Sequence, residues 1–232
     1  MAEAVAAARP EPPFAVHCAP PFLAVRFAEP QRTLGWSLLH PGFATITDIV
    51  WVEVRNADLG PSVDPQAFLR MRLRAAGRPE ALGLMTSRDI RRHHLQSRRV
   101  DGIAAACLTT VGLANGERVG SRRSPGPHAG TINTLLHVAT PLDDGALVEA
   151  LSIAAQARTA ALVDSCRGER ATAITGTGTD CIVVAAPCHG PALACAGLHT
   201  AVGEAIGAAV YEATRHGAEE WDREFPHLAA RR

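Results

Sequence analysis

The chain has 232 residues, enough to bury a sizeable core in one or two domains. Lys+Arg and Asp+Glu both number 23, so the formal charge is zero and the basic footprint of a nucleic-acid binder is missing. Nothing approaches the ~20-residue apolar run of a membrane helix, so a soluble globular protein without nucleic-acid or membrane partners is expected.

Residues 1–13 (MAEAVAAARPEPP) hold alanine, proline and glutamate without periodicity and no apolar core of a signal peptide. A disordered segment is predicted there, with a single domain over 14–232. The six cysteines at 18, 107, 166, 181, 188 and 195 form no Cys-x-x-Cys pair, which fits free thiols in a reducing cytoplasm.

Residues 22–28 (FLAVRFA) and 33–39 (TLGWSLL) predict two strands around a turn at Pro30-Gln31-Arg32, and 49–54 (IVWVEV) a third that runs into Arg55-Asn56. Asp64-Pro65 opens a helix carrying Phe68, Leu69 and Leu73 that stops at Gly77. Residues 82–87 (LGLMTS) predict a strand that surfaces at Thr86. The arginine-rich stretch 88–99 (RDIRRHHLQSRR) reads as a solvated helical face, with an anion-binding patch as the alternative. Residues 102–110 predict a buried strand, and Asn115-Gly116 a hairpin turn.

The glycine- and proline-rich segment 119–130 suits a lid that orders over a bulky ligand. It leads through Gly130-Thr131-Ile132-Asn133 into the strand TLLHVAT. Asp143 or Asp144 caps a long helix with Leu147, Leu151, Ala154 and Ala155 on its apolar face.

Next comes Thr175-Gly176-Thr177-Gly178-Thr179, closed by Asp180 and followed by the apolar run 181–186 (CIVVAA), a fully buried strand. Glycines there admit close backbone approach, threonines supply hydroxyls, and a carboxylate beside a buried strand calls for a partner. A Walker A loop is excluded, because the chain has no lysine. A dinucleotide fingerprint is excluded too, because this loop precedes its strand and Cys181 stands at the third glycine position. A helix is predicted after Pro191 to about Arg215, with Val202, Ile206 and Val210 as its stripe and Gly203 and Gly207 for close packing. Cys188, His189, Cys195 and His199 offer a zinc constellation, with Cys195 and His199 one helical turn apart. Their spacing is looser than structural zinc sites use, so no metal is assigned. The order of elements predicts a single α/β domain with a mixed β-sheet flanked by helices.

The segments TTVGLANG (109–116), GTIN (130–133), PLDDGALVEAL (141–151), ARTAAL (157–162), TGTGTDCIVVA (175–185) and HTAVGEAIGAAVYEA (199–213) together resemble the adenosylcobinamide amidohydrolase family. The resemblance covers most of residues 82–215. It implies an enzyme of corrinoid salvage that hydrolyses the amide between the corrin side chain and aminopropanol, giving adenosylcobyric acid. The cobalt corrinoid is then substrate, and no cofactor is implied. Where the family pattern has a Thr-Glu-Ala-Lys tetrad, this chain has Ala155-Gln156-Ala157-Arg158, so no catalytic role is placed there.

Amide hydrolysis needs an activated nucleophile, donors for the oxyanion and an acid for the leaving amine. His199 is the natural proton shuttle, with Asp180 or Glu204 orienting it. Asn133 and the amides of Gly176 or Gly178 are candidate oxyanion donors, and the nucleophile is a water or the hydroxyl of Thr131 or Thr177. Thr179, Asn115, Thr86 and Asn56 join Thr131 and the loop as candidate substrate contacts. A zinc hydrolase using Cys188, Cys195 and His199, a corrinoid-binding module without turnover, and a homo-oligomer are left open.

Overall fold

The apolar run after Asp180 is the central strand of the computed structural model, which describes residues 14–121, 130–166 and 173–229. In chain order the elements are β1 (Phe14–Ala19), β2 (Phe22–Trp36), β3 (Pro41–Glu53), α1 (Pro65–Ala75), β4 (Leu82–Thr86), β5 (His93–Val100), β6 (Ile103–Val111) and β7 (Gly116–Glu117). They continue with β8 (Ile132–Val138), α2 (Asp144–Asp164), β9 (Gly176–Thr177), β10 (Cys181–Pro187), α3 (Ala201–Glu224) and α4 (Pro226–Ala229). The expected disordered segment 1–13 lies outside the described residues, as does 122–129, the middle of the expected lid.

One sheet has the order β4-β3-β2-β10-β8-β6-β5, with β1 paired to β2. β3/β4 and β8/β10 are parallel and the other pairs antiparallel. The mixed sheet of a single α/β domain is therefore present. Alternate residues of β10 point to different cores. Ile182, Val184 and Ala186 pack with Leu147 and Ala150 of α2 and Ile206 and Val210 of α3. Cys181, Val183 and Ala185 pack with Val25, Trp51 and Leu84. Each fully buried Ile or Val there contributes roughly 1.5–3 kcal/mol relative to exposure.

The second core exists because the sheet folds over itself. Residues 30–32, expected as a turn between two strands, instead lie within the single 15-residue strand β2. The register of β2 against β3 shifts between Arg26 and Gln31, an irregularity that tolerates Pro30 and bends the strand. The first half of β2 pairs with β1 and the second half with β10. This carries the β1–β4 limb across the inner face of β6, β8 and β10, so that Leu82 and Leu84 meet Leu108 and Leu135.

Other local expectations also change. Residues 93–100 form an edge strand rather than a helical face, in full register with β6. Four of the five arginines in 88–99 are ion-paired, Arg88 with Glu224, Arg92 with Glu220 and Glu224, Arg98 with Glu212, and Arg91 with Asp89, while Arg99 donates to the Gly102 carbonyl at 2.9 Å. Asn115-Gly116 does not join a hairpin of neighbours, because β7 pairs with the distant β9. α3 begins at Ala201, not after Pro191, with Thr200 as its N-cap accepting from the Gly203 amide. Gly203 is needed for close packing, since a Cβ there would collide with the carbonyl oxygens of Gly197 and Ala196, the latter at 2.8 Å. Gly207 has only ordinary contact with Ile153.

By length and composition, α2 is the one described helix apolar enough to cross a membrane, against the expectation that nothing approached such a span. Here Ala146, Leu147, Ala150, Ile153 and Ala154 are buried in the helix–sheet core.

Candidate active site

A cavity of about 830 Å³ opens at the N-terminal ends of β8 and β10, a size usual for small-molecule sites. Thr131 and Asn133 form one wall, and Gly178, Thr179 and Asp180 with Asn115 a second. The folded-over β4 supplies Gly83 through Thr86, with Asn56 beside it, and Trp36 and Leu38 form the rim. These segments meet for definite reasons. β8 and β10 run parallel with Cys181 opposite Asn133, so the Ile132 amide donates to Asp180 Oδ1 at 3.2 Å. The Asn133 Nδ2 donates to the Met85 carbonyl at 2.7 Å, fastening the β4 edge across the inner face.

The Gly-Thr loop is held from behind. The Thr175 amide donates to the Glu117 carbonyl (2.8 Å), the Val119 amide to Thr175 Oγ1 (2.7 Å) and the Gly178 amide to the Asn115 carbonyl (3.2 Å). Thr177 donates its hydroxyl to Asp180 Oδ1, and Arg158 of α2 forms an ion pair with Asp180 Oδ2. The two charged side chains are only 13% and 8% exposed, so removing either strands the other in a low-dielectric site. Burial lowers the pKa of Arg158. Gly176 must be glycine because a Cβ would lie 2.6 Å from Asp180 Oδ2 and run into the Arg158 guanidinium.

Thr131 and Thr179 share a hydroxyl–hydroxyl bond, and Thr179 Oγ1 also donates to the Gly130 carbonyl at 3.2 Å. The Asn133 amide keeps one N–H beyond the bond to Met85. Asn56, Thr86, Asn115, Thr131, Asn133, Gly178, Thr179 and Asp180 therefore line one cavity, as does Cys181. Burial pushes the Cys181 thiol up to about 12, so it stays protonated and is no nucleophile. Gly176 and Thr177 stand behind the wall, in β9, rather than on it. The Gly178 amide is committed to Asn115, which removes it as an oxyanion donor.

His199 and Glu204 are not brought to Asp180. Asp180 precedes β10, whereas His199 follows it, so the length of a seven-residue strand, roughly 20 Å, lies between the two ends. The intervening loop is tied to the far end by the Leu193 amide to Pro141 (2.9 Å) and the Ala196 amide to Glu149 (2.6 Å). Both His199 and Glu204 are exposed. A strand leaves from its C-terminal end toward the next helix, and Asp180 sits at the other end. Because α3 starts only at Ala201, Cys195 and His199 share no helical face. Among the described residues no group of three or more His, Cys, Asp or Glu is placed to hold a metal ion.

Sequence reasoning missed Arg158 and Trp36. The first had a signal, the departure from the family tetrad at 155–158, but only packing shows that its cation reaches Asp180. Gln156 of the same segment is exposed and bonds Ser152 at 3.1 Å, away from the cavity. Trp36 looked like an ordinary strand residue.

The adenosylcobinamide amidohydrolase family profile matches residues 10–226. The adenosylcobinamide amidohydrolase of Halobacterium salinarum is 32% identical over 173 residues, covering 68% of this chain and 69% of its own. The crystal structure of the PH0078 protein from Pyrococcus horikoshii OT3 covers 84% of this chain and 76% of its own at 12% identity. Its TM-score of 0.40 is too low to carry an argument.

Proposed function

The chain belongs to the adenosylcobinamide amidohydrolase family, a hydrolase whose substrate is a cobinamide corrinoid, and from that premise we propose that it cleaves the amide joining the corrin side chain to aminopropanol at the Asp180 cavity. The products are adenosylcobyric acid and the free amino alcohol, in corrinoid salvage within a reducing cytoplasm. One observation carries the reading. The family-like segments 130–133 and 175–185, distant in sequence, converge on one cavity with a shielded carboxylate.

In this mechanism the Thr131–Thr179 hydroxyl pair holds a water against the amide carbon. Asp180 takes the water's proton as the new C–O bond forms, and the remaining Asn133 N–H meets the developing oxyanion. Collapse breaks the C–N bond, and Asp180 returns the proton to the leaving nitrogen. Arg158 and the Thr177 hydroxyl keep the carboxylate aimed and ionised between turnovers.

Incubation of the purified protein with adenosylcobinamide, without nucleotide, followed by chromatography of the corrinoid, tests this. Conversion to adenosylcobyric acid is expected. Unchanged corrinoid in the presence of folded protein refutes it.

A further inference from the structure

The cavity leaves one feature without a partner, its apolar rim. Trp36 is 45% exposed and Leu38 43%, although both line a cavity in which other apolar residues, Val54 and Leu84 among them, are buried. Isolated surface hydrophobes need no explanation, but Trp36 is not held like a free surface side chain. Its Nε1–H donates to the main-chain carbonyl of Asp180 at 2.6 Å. Trp36 is paired with Pro41 across the β2–β3 hairpin, and the His40 amide donates to Ser37 Oγ at 3.2 Å inside the turn. Gly35, just before it, lets β2 press against β10, since a Cβ there would lie 2.6 Å from the Ile182 carbonyl. The indole is thus fixed beside the buried carboxylate with a face still open to solvent.

We infer that Trp36, with Leu38, is the platform on which the corrin macrocycle rests while the reacting side-chain amide enters the cavity toward Asp180. This rests on the proposed function. A cavity of about 830 Å³ takes a drug-sized group, so the scissile arm fits inside and the broad macrocycle is left at the mouth. A rigid aromatic face suits such a ligand, because it offers large apolar area and loses little freedom on binding. The N–H bond spends the polar edge of the indole on the protein and leaves the ring for the ligand. Trp36 is a specificity residue in this account and takes no part in proton transfer.

The test compares Trp36→Ala, Trp36→Phe and Leu38→Ser with the wild type. It measures kcat and KM for adenosylcobinamide, and the dissociation constant for cobyric acid by equilibrium dialysis. Trp36→Ala should raise KM and the cobyric acid constant about 10-fold or more, the scale of a buried aromatic anchor, with kcat changing far less. Trp36→Phe keeps an aromatic face but loses the N–H, and should recover most of that binding. Leu38→Ser, an exposed change that leaves the hairpin bonds intact, should raise KM in the same direction. Unchanged KM in Trp36→Ala and Leu38→Ser overturns the platform. So does an equal loss of kcat in Trp36→Ala and Trp36→Phe, which would make the bond to Asp180 the function of this residue. A wild type that binds cobyric acid without hydrolysing adenosylcobinamide refutes the proposed reaction instead, and the dialysis arm still decides the platform.

Discussion

At the Asp180 end of β10 the chain shields a paired carboxylate from bulk solvent, and at the Pro187 end it leaves Cys188, His189, Cys195 and His199 exposed. Both ends carry the residue types from which hydrolytic sites are made. They differ in what covers them. Arg158 from α2, the Gly-Thr loop and the folded-over β4 edge enclose the first end, where charges interact strongly. The second is an open crossover loop. Titratable residues become a site only where other elements desolvate and partner them.

The largest expected effect comes from breaking the enclosed pair. Asp180→Asn should cut turnover at least ~100-fold, and should also cost about 3–5 kcal/mol of stability because Arg158 is left buried without its counter-charge. Turnover of the folded fraction and urea unfolding read the two effects separately. Adding Arg158→Met should restore stability but not activity. Near-normal turnover in Asp180→Asn would erase the distinction between the ends.

Acid titration sharpens the contrast with the far end. His137 lies near that end of β8, opposite Ala185, 2% exposed and packed against Phe14 and Phe27. Burial pushes its pKa down to about 4, against about 6.5 in the unfolded chain. The unfolded state therefore binds the extra proton, and stability is full above pH ~6.5 and falls as pH drops toward about 4, by on the order of 3 kcal/mol. Urea midpoints between pH 7 and 4.5 should show this slope, and His137→Leu should flatten it. An unaltered slope would mean that His137 is not held neutral in the fold.

Two glycines give a smaller, matched pair. Gly203→Ala meets main-chain oxygens at the far end and Gly176→Ala meets the Arg158–Asp180 pair. Each should cost about 1–3 kcal/mol by overpacking, but only Gly176→Ala should lower turnover per folded molecule. Equal turnover in the two variants would detach the Gly-Thr loop from the chemistry. The smallest effects belong to His199→Ala and Glu204→Gln, both exposed. Turnover within about 2-fold and stability within ±0.5 kcal/mol are expected, and a ~100-fold loss in either would move the chemistry to the other end of β10.

What was legible in the sequence was what neighbouring residues decide. Asp64-Pro65 starts α1, with Asp64 accepting from the Gln66 amide at 2.9 Å, and Gly77 ends it at φ 69°. Asp143 caps α2, and the β-branched run after Asp180 is buried throughout. Of the Gly-Thr loop, Gly178 and Thr179 line the cavity, as do the polar residues Thr86, Asn115, Thr131 and Asn133, while Thr175, Gly176 and Thr177 lie behind it. Such signals are local: a cap needs its own first turn, and a glycine needs only its own φ or a close approach.

The rest was decided by partners far along the chain. The Pro30-Gln31-Arg32 turn became a bend within β2, because pairing with β3 resumes at Gln31 and β10 pairs with Gln31 and Arg32 on the other side. The basic stretch became a strand because β6 paired with it and α3 supplied its carboxylates. Asp180 and His199 are separated by only a short stretch of chain, yet the strand between them sends them to opposite ends of the sheet, whereas Arg158 reaches Asp180 across α2. The sequence by itself determined the helix caps, the buried central strand and the residue types of the cavity walls, since these follow from backbone preference and apolar pattern. Only the tertiary structure decided which charge faces Asp180 and which aromatic stands at the cavity mouth, because desolvation and partnership belong to the packed arrangement and not to any one segment.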